Sequence, residues 1–445
     1  MSCTNSGSES RTMLLNVGPS HPAMHGVIRL ITALEGETVV KVEAEIGYLH
    51  RAFEKSCEHS TWNQVIPYTD RLNYVSPLIN NFGYCAAVEK LLGIEITERC
   101  KYIRVIMSEI SRITDHLTCI AASAMELGAM TAFLYFMKAR EYLYEIIEEV
   151  TGARLTISYG RIGGVKSDFP EGIQERLETA LQKTEREIAE VDKLLTRNRI
   201  FVDRMRGIGI LTKENALRYS ITGPLARACG INYDVRKAFP YFVYDRMEFE
   251  VPLEEKGDNY DRYLVRMEEM RQSIRIIRQA MKDIPDGPVR VHPEIKMKSF
   301  ELVDEARAGR TAGLLGTVSD VEPTLGGSER PYYARVMTKD RKVALPNKAD
   351  AYTNIEGLMN HFKLIMNGHG VRVPPGDSYF AVEGANGELG FYVVSDGGDK
   401  PYRVRVRPPC FFAMAALPEM LEGYMVADIV ATFGTINMIA GELDR

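Results

Sequence analysis

The longest regular pattern in this chain runs from Thr97 to Val150, and it constrains the fold more than any other feature. Apolar residues recur there at intervals of three and four, as in the series Ile103, Ile106, Met107, Ile110, Ile113 and Leu117. Two helices are predicted, from Thr97 to Ala124 and from Ala129 to Val150. Because an apolar stripe on a helix must be covered by a neighbour, we expect these helices to lie in a bundle.

One part of this region resembles a membrane span. The stretch from Cys119 to Phe136 is apolar and long enough, but it carries Glu126 near its middle. A carboxylate at that depth of an isolated membrane helix is costly, so a buried helix of a folded protein accounts better for the pattern. The stretch is therefore predicted to lie inside the protein, with Glu126 as a functional carboxylate.

Strands and further helices surround the bundle. A hairpin is predicted from Val27 to Ile46, with its turn at Glu35-Gly36, and three antiparallel strands are predicted between Tyr379 and Val406. GRIGGV, residues 160–165, is interpreted as a tight turn between two helices. The remaining helices are predicted over Tyr48–Cys57, Leu72–Leu92, residues 170–198, Tyr260–Ile284, a short stretch from Thr353 to Met366, and Ala415–Ile439.

These elements predict an α+β fold with four parts. A disordered tail over residues 1–12 precedes an N-terminal β region over 13–47. A helical core follows over 48–352, and a C-terminal α+β region covers 353–445. The closing GELDR carries no polar tail, so the last helix is expected to dock inside the protein.

Composition excludes several classes of function. The chain has 445 residues with 55 basic and 60 acidic side chains, a net charge of -5. The charges are interspersed, without a basic block that could follow a phosphate backbone, so nucleic acid is not expected as a partner. Seven widely spaced cysteines without a signal peptide indicate free thiols in a reducing cytoplasm.

A loop with two histidines raises the question of a metal. GPSHPAMHG places His21 and His25 four residues apart. A tetrahedral site needs four ligands, and no two cysteines lie within four residues of each other. The other six histidines do not pair at ligand spacing either. Dinucleotide-binding, P-loop and serine-hydrolase motifs are also missing, so these patterns alone favour structural histidines and predict no metal.

Longer motifs indicate a family. GPSHPAMHGVIRL, IGYLHR, PYTDRLNYVSPLINN, AVEKLLGI, MELGAMTAF, TGARLTISYGRIGGVKSD, RPPCFFAMAALPEML and GELDR occur in that order. Together they resemble the 49 kDa type of respiratory complex I subunit, also known as the D subunit, from Met13 to Arg445. The resemblance implies a peripheral subunit that carries much of the quinone-reduction site of a proton-pumping NADH-quinone oxidoreductase.

That family is similar to the large subunit of nickel-iron hydrogenases, which implies the same overall fold. Hydrogenases hold their metals with cysteines in the motifs R-x-C-G-x-C and D-P-C-x-x-C. The corresponding positions here are Asn73 and Ser76 in the first motif, and Ile439 and Glu442 in the second. Soft thiolate ligation is therefore lost, and the ancestral cavity is expected to accept another molecule.

The resemblance also implies the site residues. In the family, the second loop histidine and the tyrosine of D-R-L-x-Y hydrogen-bond the quinone headgroup, and here they are His25 and Tyr74. Both are donors suited to quinone carbonyls. The family's aspartate partner of the histidine is Glu126 here, and Ala132 stands where proline is usual.

Two further residues are expected to face an iron-sulfur cluster. This chain has no cysteine motif for a cluster, so the resemblance implies a [4Fe-4S] cluster in the adjoining B subunit. Arg51 resembles the arginine that approaches this cluster. Thr156 stands where relatives carry a histidine that makes the cluster potential depend on pH. Threonine does not titrate, so a lower potential and a quinone such as menaquinone are expected.

The resemblance extends to partners and location. It implies contacts with subunits B, C and I and with the membrane subunits H and A, at the cytoplasmic face of a bacterial inner membrane. The chain itself is expected to hold no cofactor, with quinone as substrate. The electron donor, NADH or ferredoxin, is left open because other subunits bind it. The alternatives are a metal-binding hydrogenase-like large subunit and a non-catalytic scaffold of a related membrane oxidoreductase.

Overall fold

The architecture is taken from a computed structural model, which describes residues 12–21, 26–291, 345–346, 348–366 and 370–445. Predictions that concern residues 1–11 and the loop over 22–25, including His25, lie outside the described residues. The fold is the expected α+β arrangement, with an antiparallel sheet near each end of the chain and helices between. The boundaries between the four predicted parts of the chain, at residues 12, 47 and 352, stay predictions.

The N-terminal sheet confirms the predicted hairpin and adds a strand to it. Its strands are Met13–Val17 (β1), Arg29–Glu35 (β2) and Thr38–Glu45 (β3), antiparallel in the order β1-β2-β3. The register shifts between Ala33 and Leu34, where β3 carries an extra residue. Because of that bulge, Val39 and Val42 both face the core although they are three residues apart.

The helices through the middle of the chain form the bundle. Their bounds are Phe53–His59 (α1), Ile66–Thr69 (α2), Pro77–Leu92 (α3), Glu98–Glu126 (α4), Met130–Thr151 (α5), Ile173–Leu195 (α6), Arg199–Met205 (α7), Lys213–Arg218 (α8), Gly223–Ala228 (α9), Val235–Ala238 (α10) and Asn259–Asp283 (α11). Helix α4 packs against α3, α5 and α11, so it is the centre of the bundle. The helices predicted in this part of the chain are confirmed, but α1 and α3 begin later than expected.

One distant side chain and one local side chain explain the two late starts. The segment before α1 is irregular because the Asp444 carboxylate accepts hydrogen bonds from the backbone N–H groups of Gly47 and Leu49. The segment before α3 forms a turn in which Asn73 Oδ1 accepts from the N–H groups of Val75 and Ser76. The predictions of helix from Tyr48 and from Leu72 are therefore wrong over these first residues.

The segment GRIGGV also differs from its prediction. Instead of a turn between two helices, Gly160–Arg161 (β4) and Gly164–Val165 (β5) pair as a short antiparallel ladder. A side chain at Gly164 would approach the carbonyl oxygen of Val289 to 2.5 Å. The glycine is required because the backbone of residues 289–290 packs directly on this ladder.

The C-terminal sheet confirms the three predicted strands. They are Gly376–Gly384 (β6), Gly387–Ser395 (β7) and Arg403–Arg407 (β8), antiparallel in that order, and β6 and β7 pack on α3. Two short helices precede them, Lys348–Thr353 (α12) and Ile355–Ile365 (α13).

The predicted helix over Ala415–Ile439 is wrong as a single element. Four short helices occupy the region: Pro409–Ala415 (α14), Leu417–Leu421 (α15), Val426–Ile436 (α16) and Ala440–Asp444 (α17). Gly423 and Asn437 adopt positive φ angles of 89° and 57° and interrupt the helical path. The docking of the final helix is confirmed, because every residue of α17 is buried.

Two clusters of buried apolar side chains hold these parts together. The larger joins α3, α4, α5, α6 and α11 to the C-terminal sheet. The smaller joins the N-terminal sheet to α9 and to the four C-terminal helices. Tyr74 and Val75 pack partly buried against the smaller cluster. The turn before α3 therefore lies where the beginning and the end of the chain meet.

Candidate functional site

A buried polar cluster lies at this meeting point, and Asp115 of α4 is its centre. Asp115 is fully buried and accepts three hydrogen bonds. Asn73 Nδ2 and Ser76 Oγ donate to its Oδ2 at 2.8 and 2.7 Å. Asn437 Nδ2 donates to its Oδ1 at 2.7 Å. Three side-chain donors therefore satisfy both oxygens of this buried carboxyl group.

The cluster continues toward the C-terminal helices. Asn437 Nδ2 also donates to Asn386 Oδ1 at 2.6 Å, and Asn386 Nδ2 lies 3.5 Å from Cys410 Sγ. The backbone N–H of Cys410 donates to Glu442 Oε1 at 3.1 Å. We refer to the following seven buried residues as the Asp115 cluster: Asn73, Ser76, Asp115, Asn386, Cys410, Asn437 and Glu442.

Local structure explains how each side chain reaches the cluster. Asn73 and Ser76 lie in the turn before α3, and Asn437 ends α16 in the left-handed conformation. Asn386 lies in the two-residue loop between β6 and β7, where asparagine is a common turn residue. Elements from the C-terminal sheet, the bundle and the C-terminal helices therefore contribute to one polar site.

The two segments that were expected to correspond to hydrogenase ligand motifs meet here. A side chain at Gly441 would lie 2.6 Å from the carbonyl oxygen of Arg71 and 2.7 Å from that of Leu72. The backbone of α17 thus rests directly on the first motif. Asn73, Ser76 and Glu442 form hydrogen bonds within the cluster, whereas Ile439 is a buried apolar residue. Among the described residues, no group of three or more potential ligands is arranged to hold a metal.

Tyr74 stands beside this cluster and is partly buried. Tyr74 is the residue after Asn73 in the turn. Its hydroxyl makes no hydrogen bond within the part of the chain that the structure describes. Burial raises the pKa of Tyr74, and Cys410 and Asp115 raise it further, while the Arg51 guanidinium lowers it. The raised pKa keeps the hydroxyl protonated, so it is able to donate a hydrogen bond.

Arg51 clamps the two motifs together. Its Nη2 donates to the carbonyl oxygens of Arg71 at 2.6 Å and of Gly441 at 3.3 Å. Burial lowers the pKa of Arg51, as does the neighbouring charge of Arg71, while Tyr74 and Asp444 raise it. Arg51 therefore joins the segment before Tyr74 to α17.

Thr156 lies in an exposed segment between α5 and β4. It adopts a positive φ of 50°, unusual for threonine. Two residues on, Ser158 donates from its backbone N and its Oγ to Asp70, which precedes Arg71. This anchor attaches the Thr156 segment to the backbone that Arg51 contacts.

Glu126 lies farther along α4. It is half-buried at the end of the helix, and its Oε2 would lie 3.4 Å from a side chain added at Gly434 of α16. Asp115 and Glu126 project from the same side of α4, separated by about three turns, or about 16 Å. Glu126 is therefore outside the Asp115 cluster, and its expected partner His25 lies outside the described residues.

Sequence reasoning missed four members of the cluster: Asp115, Asn386, Cys410 and Asn437. Asp115 lies with Thr114 and His116 between the regularly spaced Ile113 and Leu117, so the apolar periodicity does not mark it. Asn386 is indistinguishable from an ordinary turn residue, and Cys410 from an ordinary buried thiol.

Comparisons with known proteins agree on one family. The profile described as "Respiratory-chain NADH dehydrogenase, 49 Kd subunit" matches residues 126–311 and 328–445. A protein of Myxococcus xanthus, named as the D subunit of NADH-quinone oxidoreductase, is 50% identical over 437 residues, covering 98% of this chain and 94% of the relative. The protein of the same name in Pelobacter propionicus is 48% identical over 433 residues, covering 97% and 95%.

A third relative is longer. In Bdellovibrio bacteriovorus, a protein named as the C/D subunit of NADH-quinone oxidoreductase is 45% identical over 431 residues. The match covers 97% of this chain but 68% of the relative, so a further segment is joined to the shared region in that protein.

Proposed function

Because the chain belongs to the family of 49 kDa subunits of respiratory-chain NADH dehydrogenase, we propose that Tyr74 binds the headgroup of a quinone at the point where it is reduced. The chain is a subunit of an NADH-quinone oxidoreductase, complex I. The observation that carries the proposal is that Tyr74 is partly buried and that its hydroxyl makes no hydrogen bond within the described residues.

The chemistry of the site supports this assignment. A quinone carbonyl accepts hydrogen bonds and offers no donor, so a phenol O–H is a suitable partner. After two electrons arrive, the carbonyl oxygens become much more basic, and a donor already in contact supplies a proton without a search through solvent. We propose that His25 is the second donor and that Glu126 stabilises its charged form.

The electrons are proposed to come from a [4Fe-4S] cluster held by the B subunit, with Arg51 and Thr156 on the face toward it. Both residues contact or adjoin the segment at Asp70 and Arg71, which supports a common face. Contact with the C subunit is supported by the relative named C/D, in which a further segment is part of the same chain. Subunits I, H and A are proposed as further partners from the family alone.

The chain is proposed to occupy the peripheral part of the complex, at the cytoplasmic face of a bacterial inner membrane. Among the described residues, every helix is too short or too polar to span a bilayer. Menaquinone is the proposed quinone, since Thr156 replaces a titrating histidine and a lower cluster potential follows.

The decisive experiment is Tyr74→Phe in the intact complex. We expect normal assembly and normal reduction of the clusters by NADH, while quinone turnover falls about five- to hundredfold, because one buried donor is worth about 1 to 3 kcal/mol. Tyr68→Phe is the matched control, since Tyr68 is an exposed tyrosine six residues earlier. Near-normal turnover of Tyr74→Phe with short-tailed quinones contradicts the proposal.

The alternative of a metal-holding hydrogenase-like subunit is tested separately. Nickel analysis of the purified complex decides it. Asn73, Ser76 and Ile439 supply no thiolate ligand, so we expect no nickel, and one equivalent of nickel per chain would support the alternative.

A further inference from the structure

The first strand, β1, forms an edge of the N-terminal sheet. It pairs with β2 on one side, because the strand order is β1-β2-β3. On its other side, the backbone of Met13–Val17 makes no hydrogen bond with any described residue. Backbone N–H and C=O groups along such an edge are able to pair with another extended chain. The geometry of the sheet therefore leaves room for a further strand beside β1.

The chain closes the opposite edge of the same sheet with its own residues. The backbone N–H of Val39 in β3 donates to the carbonyl oxygen of Tyr424 at 2.8 Å, and the N–H of Gly423 donates to that of Val39 at 2.8 Å. The N–H of Val426 donates to the carbonyl oxygen of Glu37 at 3.0 Å. The segment before α16 thus covers β3, whereas within the described ranges nothing equivalent covers β1.

Apolar side chains of β1 are exposed on both faces of the sheet. Met13 pairs with the buried Leu34 and so lies on the core side, yet it is 55% exposed. Leu14 pairs with Ala33 on the opposite face and is 71% exposed. Because successive side chains of a strand point to opposite faces, a helix lying on one face would cover only one of these two residues. A strand beside β1 would contact both.

The sequence of β1 also lacks the features that protect natural sheet edges. Exposed edges are usually shielded by a lysine, a proline or a bulge, because an open apolar edge promotes aggregation. The strand reads MLLNV, without charge or proline, and it pairs with β2 in an unbroken register. Its polar residue, Asn16, accepts hydrogen bonds from Arg29 of the same chain. We therefore expect β1 to be covered in the native assembly.

Residues 1–11 have an unsuitable composition for this role. They read MSCTNSGSESR, in which Met1 is the one large apolar side chain. This segment offers too little apolar surface to cover both Met13 and Leu14. The chain is a subunit of an NADH-quinone oxidoreductase, so segments of other subunits are present in the complex. A segment with alternating apolar side chains from such a subunit has the required chemistry.

We propose that another subunit of the complex adds an extended segment to β1 as a fourth strand of the N-terminal sheet. Backbone hydrogen bonds to β1 supply affinity, and apolar side chains packed against Met13 and Leu14 supply specificity. The inference goes beyond the proposed function. It requires that the chain belongs to the complex, and it does not depend on Tyr74.

Photo-crosslinking from position 14 tests the identity of the occupant. Benzoylphenylalanine replaces Leu14 in the intact, purified complex, and mass spectrometry maps the products of illumination. We expect a covalent link to one other subunit, within a segment of alternating apolar residues. The same probe at Lys193, which is exposed on α6, is the control for non-specific reaction. Links found only to residues 1–11, or only to a second copy of this chain, overturn the proposal.

Hydrogen exchange of the wild-type complex tests the backbone pairing without any substitution. Strand β1 has five residues, whose N–H groups point alternately toward β2 and toward the open side. If a partner strand is bound, all five amides should exchange slowly. An unpaired edge would leave about half of them in fast exchange, and that result overturns the proposal.

Substitutions at the edge measure its contribution to assembly. Leu14→Lys places a charge on the apolar edge, and we expect the yield of intact complex to fall at least about tenfold. Leu14→Ile keeps an apolar strand-forming side chain and should assemble normally. Val40→Lys is the matched control, because Val40 is exposed on β3, whose edge the chain itself closes. Normal assembly of Leu14→Lys contradicts the proposal, whereas Tyr74→Phe should leave the assembly and the exchange of β1 unchanged.

Discussion

Asn437 donates a 2.7 Å hydrogen bond to Asp115, which lies 322 residues earlier in the chain. The left-handed conformation of Asn437 both ends α16 and turns its amide toward α4. One asparagine thus terminates a helix and satisfies a buried carboxylate. The polar centre beside Tyr74 is consequently a property of the assembled fold rather than of any local motif.

The close approach of Gly441 to the first motif gives the first prediction. In Gly441→Ala, the added methyl group would lie 2.6 Å from the carbonyl oxygen of Arg71, so the backbone must move. We expect a loss of about 1 to 3 kcal/mol in the free energy of unfolding. Quinone turnover should fall as well, because Tyr74 and Glu442 both shift. Thermal denaturation and turnover of the complex measure the two effects.

Gly370→Ala is the matched control for this substitution. The nearest atom to its added methyl group is Cβ of Thr61 at 3.5 Å, an ordinary contact. If the Gly441→Ala complex were as stable and as active as the Gly370→Ala complex, the close packing of Gly441 on the segment at Arg71 would be contradicted.

A second prediction concerns stability and pH. The pKa of Glu442 in the folded protein is about 7, above its ordinary value, so the folded state holds this proton more tightly than the unfolded state. The stability it contributes is complete below the ordinary pKa and is lost as pH rises through 7. Glu442→Gln should therefore remove a decline of about 3 kcal/mol from the free energy of unfolding between about pH 4.5 and 7.5.

Thermal denaturation of the complex across this pH range measures the effect. Glu190→Gln is the control, because Glu190 is an exposed residue paired with Lys193 on α6. Equal pH dependence in the wild type and in Glu442→Gln would place the titrating group elsewhere.

The third prediction concerns Glu126. Glu126→Gln keeps the size of the side chain but removes the charge proposed to stabilise a protonated His25, so kcat should fall about tenfold or more while KM changes less. Glu126→Asp should be tolerated, since it keeps the carboxylate. Steady-state kinetics with a short-tailed quinone measure both parameters. An aspartate variant as slow as the glutamine variant would contradict the pairing with His25.

The fourth prediction concerns Thr156. A histidine near a cluster couples reduction to protonation, and threonine does not titrate. The terminal cluster of this complex should therefore show little pH dependence of its potential between about pH 6 and 8. Thr156→His should introduce a dependence and raise the potential at low pH. The exposed site and its positive φ both suit histidine.

Redox titration followed by EPR at several pH values tests this prediction. Thr156→Gln, which is polar but does not titrate, is the control. A pronounced slope in the wild-type complex would show that another group carries the proton or that Thr156 does not face the cluster.

The helices α4, α5, α6 and α11 were predictable because the sequence patterns that indicate them lie within each helix. An apolar stripe at helical spacing is visible in the sequence, and so are N-caps such as Thr97, whose hydroxyl accepts from the N–H of Cys100. The starts of α1 and α3 were not predictable, because Asp444 and Asn73 hold those segments out of the helix. The contact of Asp444 with Gly47 joins residues that are 397 positions apart in the chain.

The residues of the candidate site also fall into two groups, those that the sequence could identify and those that it could not. Asn73, Ser76 and Glu442 could be singled out because the resemblance to hydrogenase motifs implies that they stand where cysteines bind metal. Asp115 could not, since a single acid in a helix is normally solvent-exposed and only the packing of α3, α11 and α16 on α4 buries it. The pKa of Glu442 likewise follows from burial, which the sequence does not display.

The arrangement of the Asp115 cluster also sets an order of folding. Asp115, Asn73 and Ser76 leave the ribosome long before Asn437, which is 322 residues later than Asp115. The bundle around α4 therefore forms while its central carboxylate still lacks one of its three donors, and closing that contact costs the entropy of a very long loop. Completion of the cluster therefore requires the C-terminal helices, and the quinone site proposed at Tyr74 is unfinished until they have packed.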